Sequence, residues 1–476
     1  MPGNNIFSLL PLAILGVAAI GLMVWITFKR TYFPIVLFTG GSLVLALISL
    51  IGITGTSWTG ELITVDMYAI LCQSFLFLFG LAVVAFAFGY FGTETGEKEE
   101  FYVLLLLSLL GASVLTVSTH FISFFLGLEI LSVSLYAMIA YNPAKLLRLE
   151  AGVKYLILAS VATAFILFGM ALVYGDSGSM SFMELSRIYA SDGNANLWFL
   201  AGLALIILGV GFKLALVPFH MWAPDIYQGA PSPVTAFVTT VSKGAVVILL
   251  VRLLTWAAPA DHPGMKFMLS LLAAASMLVG NLLALLQNHV KRLLAYSSIG
   301  HLGYLMVPMV IFHPIGYTAV IFYLLAYIIT IMGAFGVVIL LSSSGGKEAD
   351  ELEDFRGLAY RHPWLTAAFV IFLFSLAGFP FTFGFMAKIY LISIGIQRNL
   401  WVLLAALIIG SIIGLFYYLR VVYILLTRTR DGEIEPVSFA SPGMFAIGVL
   451  TILLVAMGIY PQPLFELIHT AVSALK

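Results

Sequence analysis

Cysteine is all but missing from the chain: Cys72 is the single one in 476 residues. One thiol closes no internal disulfide and builds no thiolate metal cluster within the chain. Set inside an apolar run, it reads as a small buried filler. Charge is scarce too, with Asp, Glu, Lys and Arg at 9% of residues against about 25% in soluble domains. The 22 basic residues balance the 22 acidic ones, so no basic excess points to a nucleic-acid partner. There is no CxxC, no HExxH, no phosphate-cradling glycine loop and no paired acid motif of a hydrolase. Any redox or nucleotide chemistry is therefore expected elsewhere than in this chain. No cleavable signal peptide is expected, because the first apolar run, 6–28, is too long for one and has no basic residue before it.

What is abundant is hydrophobic, 62% of the chain, in runs of the ~20 residues that cross a bilayer. The expectation is an all-α polytopic membrane protein with fourteen spans, near 6–28, 33–54, 66–91, 101–119, 121–141, 150–174, 197–227, 232–256, 267–287, 292–312, 315–341, 363–394, 400–426 and 441–469. Only Ser118, Thr119 and His120 divide the fourth from the fifth. The seventh and twelfth are expected to be broken. Pro218 follows Lys213 by five residues, removing a backbone donor and obstructing the carbonyl near Leu214. In the other half Pro380 precedes Lys388. Two interrupted apolar segments in the two halves of a chain point to paired repeats around an ion site, and the reversed order of proline and lysine suits an inverted pair. The odd-numbered connections hold twelve basic residues and the opposite side five, Arg187, Arg252, Lys266, Arg398 and Lys476. By the positive-inside rule the odd connections are cytoplasmic and both termini face outward. Between Tyr174 and Asn196 the chain reads as an outward loop with a short amphipathic helix over Phe182 to Tyr189. From Ser342 to His362 it reads as a cytoplasmic loop, either solvated or docked on a neighbouring protein.

Ionisable groups inside apolar runs are the candidate functional residues, since a charge at mid-span costs roughly 2.5 to 3.5 kcal/mol on insertion scales. Glu129, in FFLGLEILSVSLYAM, is the one carboxylate near the middle of such a run, and Ser132 and Tyr136 share its helical face. It needs a proton or a cationic partner, and Lys213 and Lys154 are the candidates. Lys154 follows Glu150 by four residues, so its plainer role is a local pair with the amine snorkelling outward. The plainer role of Glu129 and Lys213 is a static ion pair that fixes helix packing. Lys243 follows Thr239, Thr240 and Ser242, hydroxyls suited to a hydrated seam. His301 lies among Ser297, Ser298 and Tyr304, either as a satisfied core histidine or as a proton carrier. Lys388 repeats the buried lysine. Together these groups read as relay stations for protons. The remaining histidines sit near run ends or the proline break without ligand spacing, so no metal is expected.

In order along the chain, FFLGLEILSVSLYAM, KLALVPFHMWAPDIYQGAPSPVTAF, VSKGAVVILLVRLL, NHVKRLLAYSSIGHLGY and SLAGFPFTFGFMAKIY closely resemble the antiporter-like membrane subunits of respiratory complex I, the NADH:quinone oxidoreductase. The likeness runs over nearly the whole chain. Within the family, a lysine at 388 where some sister subunits carry glutamate, and no C-terminal extension for a long lateral helix, favour the bacterial subunit N branch. The resemblance implies fourteen transmembrane helices with two inverted five-helix repeats and broken helices 7 and 12. It divides the chain into a three-helix segment (1–100), a first repeat (101–256), a second (257–430) and a C-terminal helix (431–476). It implies proton translocation in the bacterial inner membrane, with no cofactor bound in this chain. NADH, FMN, the iron–sulfur clusters and quinone then belong to partners, namely other membrane subunits and, through them, the peripheral redox arm. Glu129 and Lys213 match the family's charge pair on the fifth and seventh helices, Lys243 its connecting lysine, His301 its tenth-helix histidine and Lys388 the lysine near the proton exit. Two other readings stay open: a subunit of a multi-subunit cation/proton antiporter without electron transfer, and a structural membrane spacer.

Overall fold

The computed structural model describes residues 6–53, 58–94, 96–142, 145–192, 196–257, 262–345, 348–428 and 440–475. Lys347, Arg430 and Lys476, counted above among the connection charges, lie outside them. The first half opens with α1 (Leu10–Phe28) and α2 (Tyr32–Ile51), then a two-stranded hairpin, β1 (Trp58–Thr59) on β2 (Thr64–Val65). Next come α3 (Met67–Thr93), α4 (Glu100–Val117), α5 (Phe121–Ile139), α6 (Leu146–Ser177) and the expected short outer helix α7 (Phe182–Asp192). The interrupted stretch follows as α8 (Leu197–Leu214), α9 (Trp222–Gly229), α10 (Ser232–Phe237), a π turn over Val238–Ser242, and α11 (Lys243–Ala257). The second half contains α12 (Pro263–Leu285), α13 (Val290–Met309), α14 (Pro314–Gly345), the single turn α15 (Leu358–Arg361), α16 (Pro363–Ala377), α17 (Phe383–Gln397), α18 (Trp401–Leu426), α19 (Ser441–Ile459) and α20 (Gln462–Ser473).

Helices dominate because backbone polar groups in hydrocarbon must be satisfied within their own segment. Among the described residues twelve helices are long and apolar enough to cross a membrane. Two of the fourteen expected spans account for the difference. α13 has the length, but Lys291, Arg292, Ser297, Ser298 and His301 dilute its apolar character, while α16 and α17 are two 15-residue pieces of one expected span. The expected last span, 441–469, also differs, stopping at Ile459. Pro461 and Pro463 remove successive backbone donors there, and α20 starts afresh, packing on α14 and α3. The division of α4 from α5 falls where Ser118 to His120 placed it, with the His120 ring accepting from Ile122 N.

The interior is organised around two helical stretches. In their most apolar windows Ser232–Trp256 is wholly buried and Pro314–Ser342 94% buried, whereas Leu146–Ser177 is 33% buried. Outer helices are held to the core by backbone approach at small residues. A Cβ on Gly169 would stand 2.5 Å from Gly202 O across the α6/α8 seam, and one on Gly280 2.6 Å from Gly300 N across α12/α13. Arg252, counted above as a connection charge, is instead fully buried in α11. It holds Asp66, the N-cap of α3, through two hydrogen bonds of 2.7 and 2.8 Å and donates to Thr116 O at 3.1 Å. Arg148 and Lys291, also taken as connection charges, are buried as well.

Candidate functional site

The first pair of ionisable residues, half-buried Glu129 and buried Lys213, lies between α5, α6 and α8. Helical spacing puts Ser132 one turn from Glu129, and Ser132 Oγ accepts from Lys213 Nζ at 2.8 Å. Glu129 accepts from Thr163 of α6 at 2.9 Å. No ion pair joins Glu129 and Lys213 directly among the described residues; the two charges share one face of α5 through Ser132. Thr163 was not foreseen, since a threonine in an apolar run carries no signal of its own.

α8 stops one residue beyond Lys213. Ala215 takes the left-handed conformation, φ 59°, and Leu216 N returns to Gly211 O at 2.8 Å. Freed backbone groups at this depth need covering. Trp222 Nε1 donates to Phe212 O at 2.9 Å, and Val217 N donates to Ser276 Oγ of α12 at 2.9 Å. Trp222 also stands between the two lysines. Lys213 Nζ lies 5.9 Å from the centroid of Tyr155, Tyr155 packs on Trp222 at 5.0 Å, and Lys243 Nζ lies 5.9 Å from Trp222 and 5.3 Å from Tyr227. Ring faces stabilise a desolvated ammonium by cation–π attraction, so the break builds an aromatic wall shared by both amines.

Lys243 follows the π turn directly, a local widening of helix that recurs at functional sites. Its Nζ donates to Ser298 Oγ at 2.9 Å, and Ser298 Oγ is 2.6 Å from the Tyr327 hydroxyl. His301, one turn beyond Ser298 on α13, lies 2.8 Å through Nδ1 from the Tyr323 hydroxyl and 3.3 Å through Nε2 from that of Tyr418. Tyr418 in turn bonds Ser297. A cavity of about 10 Å³, the room one water needs, lies between His301, Tyr323, Tyr327, Thr330, Ser375 and Lys388.

Lys388 closes the series. Pro380 and Gly378, φ 87°, end α16, and Lys388 Nζ reaches back from α17 to the freed carbonyls of Leu376 and Ala377 at 2.9 and 3.0 Å. A cation there also meets the negative end of a helix dipole. A Cβ on Gly378 would meet Lys388 Cδ at 2.9 Å, so the glycine provides both the left-handed turn and the space for the amine. Lys213, Lys243, His301 and Lys388 are each between 1% and 7% exposed. The structure thus gathers five of the six sequence candidates. Lys154 stands apart, its side chain 46% exposed and paired with Glu150 at 2.7 Å and Asp225 at 3.4 Å, as its i,i+4 spacing allowed. The bridging residues Tyr323, Tyr327 and Thr330 were missed, although their i, i+4, i+7 spacing puts them on one face of α14.

A second polar cluster sits at the ends of α3, α6, α10 and α13. Arg148 donates to Glu94 at 2.6 Å and to Tyr90 at 2.8 Å, while Glu348 accepts from Ser232 at 2.6 Å and from Lys291 at 2.7 Å. Tyr90 also bonds Glu348. Burial pushes the Glu348 carboxyl up, but Lys291, Ser232 and Tyr90 outweigh it and hold it down at about 2. Among the described residues no three His, Cys, Asp or Glu side chains gather as a metal site.

The family profile for the NADH:quinone oxidoreductase/Mrp antiporter transmembrane region matches residues 118–414, a stretch that includes every member of the buried series. The chain is 41% identical over 480 aligned positions to the NADH-quinone oxidoreductase subunit N of Ectopseudomonas mendocina, covering 98% of this chain and 97% of that one. Among solved structures it is similar to a chain of respiratory complex I from Thermus thermophilus with bound aureothin, at 32% identity, TM-score 0.82 and coverage of 98% and 99%. A chain of the Mrp complex from Dietzia sp. shares the fold at 20% identity, TM-score 0.87 and coverage of 99% and 98%. With its polytopic helical fold and these likenesses, the chain belongs to the NADH:quinone oxidoreductase/Mrp antiporter family of membrane subunits.

Proposed function

We propose that this chain is the N-type membrane subunit of a bacterial NADH:quinone oxidoreductase and moves protons through Glu129, Lys213, Lys243, His301 and Lys388. The observation that carries the relay is the order of these groups. Lys213 with Ser132, Lys243 with Ser298 and Tyr327, His301 with Tyr323, and Lys388 on the carbonyls of α16 follow one another through the buried interior. Each ammonium rests on a hydroxyl or carbonyl, partners that accept from it without neutralising it, so a proton given up can be regained. Glu129 lies within electrostatic reach of Lys213, and a change in their separation alters how firmly the amine holds its proton. Lys154, exposed and paired, stands outside the line.

In this reading the membrane part consists of fourteen spans, the twelve long helices with α13 and the α16/α17 pair, arranged as inverted repeats around the two breaks. Without the buried Arg148, Lys291 and Arg252, the connection charges still stand at ten against four, which puts both termini on the outer side of the inner membrane. NADH, FMN, the iron–sulfur clusters and quinone are assigned to partner subunits of the same complex. In the complex reconstituted with Lys213→Ala or Glu129→Ala, NADH-driven proton uptake is expected to fall. Undiminished uptake and quinone reduction in both variants would remove the relay. The shared Mrp fold keeps the antiporter reading in view, and co-purification separates the two: partners with flavin and iron–sulfur absorption support the oxidoreductase, an assembly without chromophores the antiporter.

A further inference from the structure

At the end of the bundle that carries Leu475, a cavity of about 600 Å³ opens between α7, the end of α11 and the start of α14. Its lining includes three side chains that can donate and for which no acceptor stands among the described residues. Arg187 makes no ion pair or hydrogen bond among the described residues. Trp256 Nε1 is buried without a partner. His313 accepts from Ile315 N through Nδ1 at 3.3 Å, which leaves Nε2 as the donor in the neutral ring. No carboxylate lines the cavity among the described residues. The 32-residue helix α14 begins at Pro314 on its rim, adding the positive end of a helix dipole. Leaving a buried indole donor unsatisfied costs about 1 to 3 kcal/mol, a cost that an incoming acceptor offsets.

The cavity lies at a defined depth. Trp256 and Tyr317 stand at the ends of the spans Ser232–Trp256 and Pro314–Ser342, where amphipathic rings sit at headgroup level. Met183, Leu254, Phe312 and Leu475 give the rest of the lining an apolar surface, beside the hydroxyls of Ser186, Thr255 and Tyr317. We propose that this cavity binds a phosphate group at the membrane surface, its oxygens accepting from Arg187, Trp256 and His313. An anionic phospholipid headgroup and free inorganic phosphate present the same chemistry to these donors.

The intact complex carrying this chain, stripped of loose lipid, is titrated with phosphatidylglycerol, phosphatidylcholine or inorganic phosphate, and adducts on this chain are counted by native mass spectrometry. Phosphatidylglycerol or inorganic phosphate is expected to be retained, with Arg187→Ala and Trp256→Phe each weakening retention roughly ten-fold and Arg187→Lys restoring part of it. Both lesions leave the core packing in place, since Arg187 is exposed and Phe keeps a ring at 256. Displacement of the lipid by millimolar phosphate assigns the site to free phosphate, and lipid that resists phosphate assigns it to a headgroup. Equal retention of phosphatidylglycerol and phosphatidylcholine without phosphate binding, or retention like the parent chain in both variants, overturns the proposal.

Discussion

A buried amine is unstable unless something accepts its hydrogens, and here hydroxyls do so for Lys213 and Lys243. Removing Ser132 or Ser298 leaves the ammonium without that acceptor at a cost of about 1.5 to 3 kcal/mol. Ser132→Ala and Ser298→Ala are expected to lower proton uptake per electron while the complex still assembles, as read by acidification in proteoliposomes and by gel. The Asp66–Arg252 pair behaves differently, because it is fully buried and bidentate. Arg252→Met strands a carboxylate and is expected to cost about 3 to 5 kcal/mol, while Asp66→Asn with Arg252→Met together recovers much of the loss. Thermal melting of the two variants against the parent checks it. At this scale the sequence was informative wherever charge sat in hydrocarbon: Glu129, Lys213, Lys243 and Lys388 stand out by their cost alone. Tyr323, Tyr327 and Thr330 did not, because uncharged hydroxyls are tolerated in membrane helices for many reasons. Arg252 was misplaced because a cation near a span end looks like a connection residue until its partner, 186 residues away, is known.

The broken elements give the lysines their surroundings, and the two breaks do so in different ways. In α8 the lysine precedes the break and leans on α5; in α17 it follows the break and caps α16. Prolines lie beside both helix ends, but nothing in the sequence tells what covers the loosened backbone, since Trp222 and Ser276 meet it only after folding. Gly378→Ala tests the second break. The added methyl meets Lys388 and the left-handed backbone disfavours a side chain, so a loss of about 1 to 3 kcal/mol in stability is expected, together with reduced proton uptake. Unchanged melting and uptake would separate the turn from the amine. The length of α13 was legible and its membrane depth less so, since its polar residues face buried partners rather than water. The end of α19 was overrun because Pro461 and Pro463 sit inside a stretch that remains apolar on average.

Across the whole molecule, the first and second halves meet at the Arg148–Tyr90–Glu348–Lys291 cluster. Through Ser232 and Lys291, both donating to Glu348, it ties the helix that leads to Lys243 to the helix that carries His301. Glu348 is held at about 2 against an ordinary 4.5, so its stabilisation is complete above about pH 4.5 and is lost as the pH falls toward 2. Glu348→Gln is expected to lower stability at neutral pH by about 3 kcal/mol and to flatten the parent's loss of melting temperature between pH 5 and pH 3. A parallel decline in both proteins would place the acid sensitivity elsewhere. The all-helical membrane class was readable from composition, and the buried lysines from their charge inside apolar runs. The packing of the halves was not, because it depends on glycine seams and ion pairs between residues far apart in the chain.

The most direct measurement is the number of protons moved per electron by the reconstituted complex carrying Lys243→Met, beside Lys154→Met as the control. Lys243 is 1% exposed at the centre of the line and Lys154 lies outside it, so the ratio is expected to fall in the first variant and to match the parent in the second. Equal ratios in both variants, with assembly intact, would contradict proton transfer along this line.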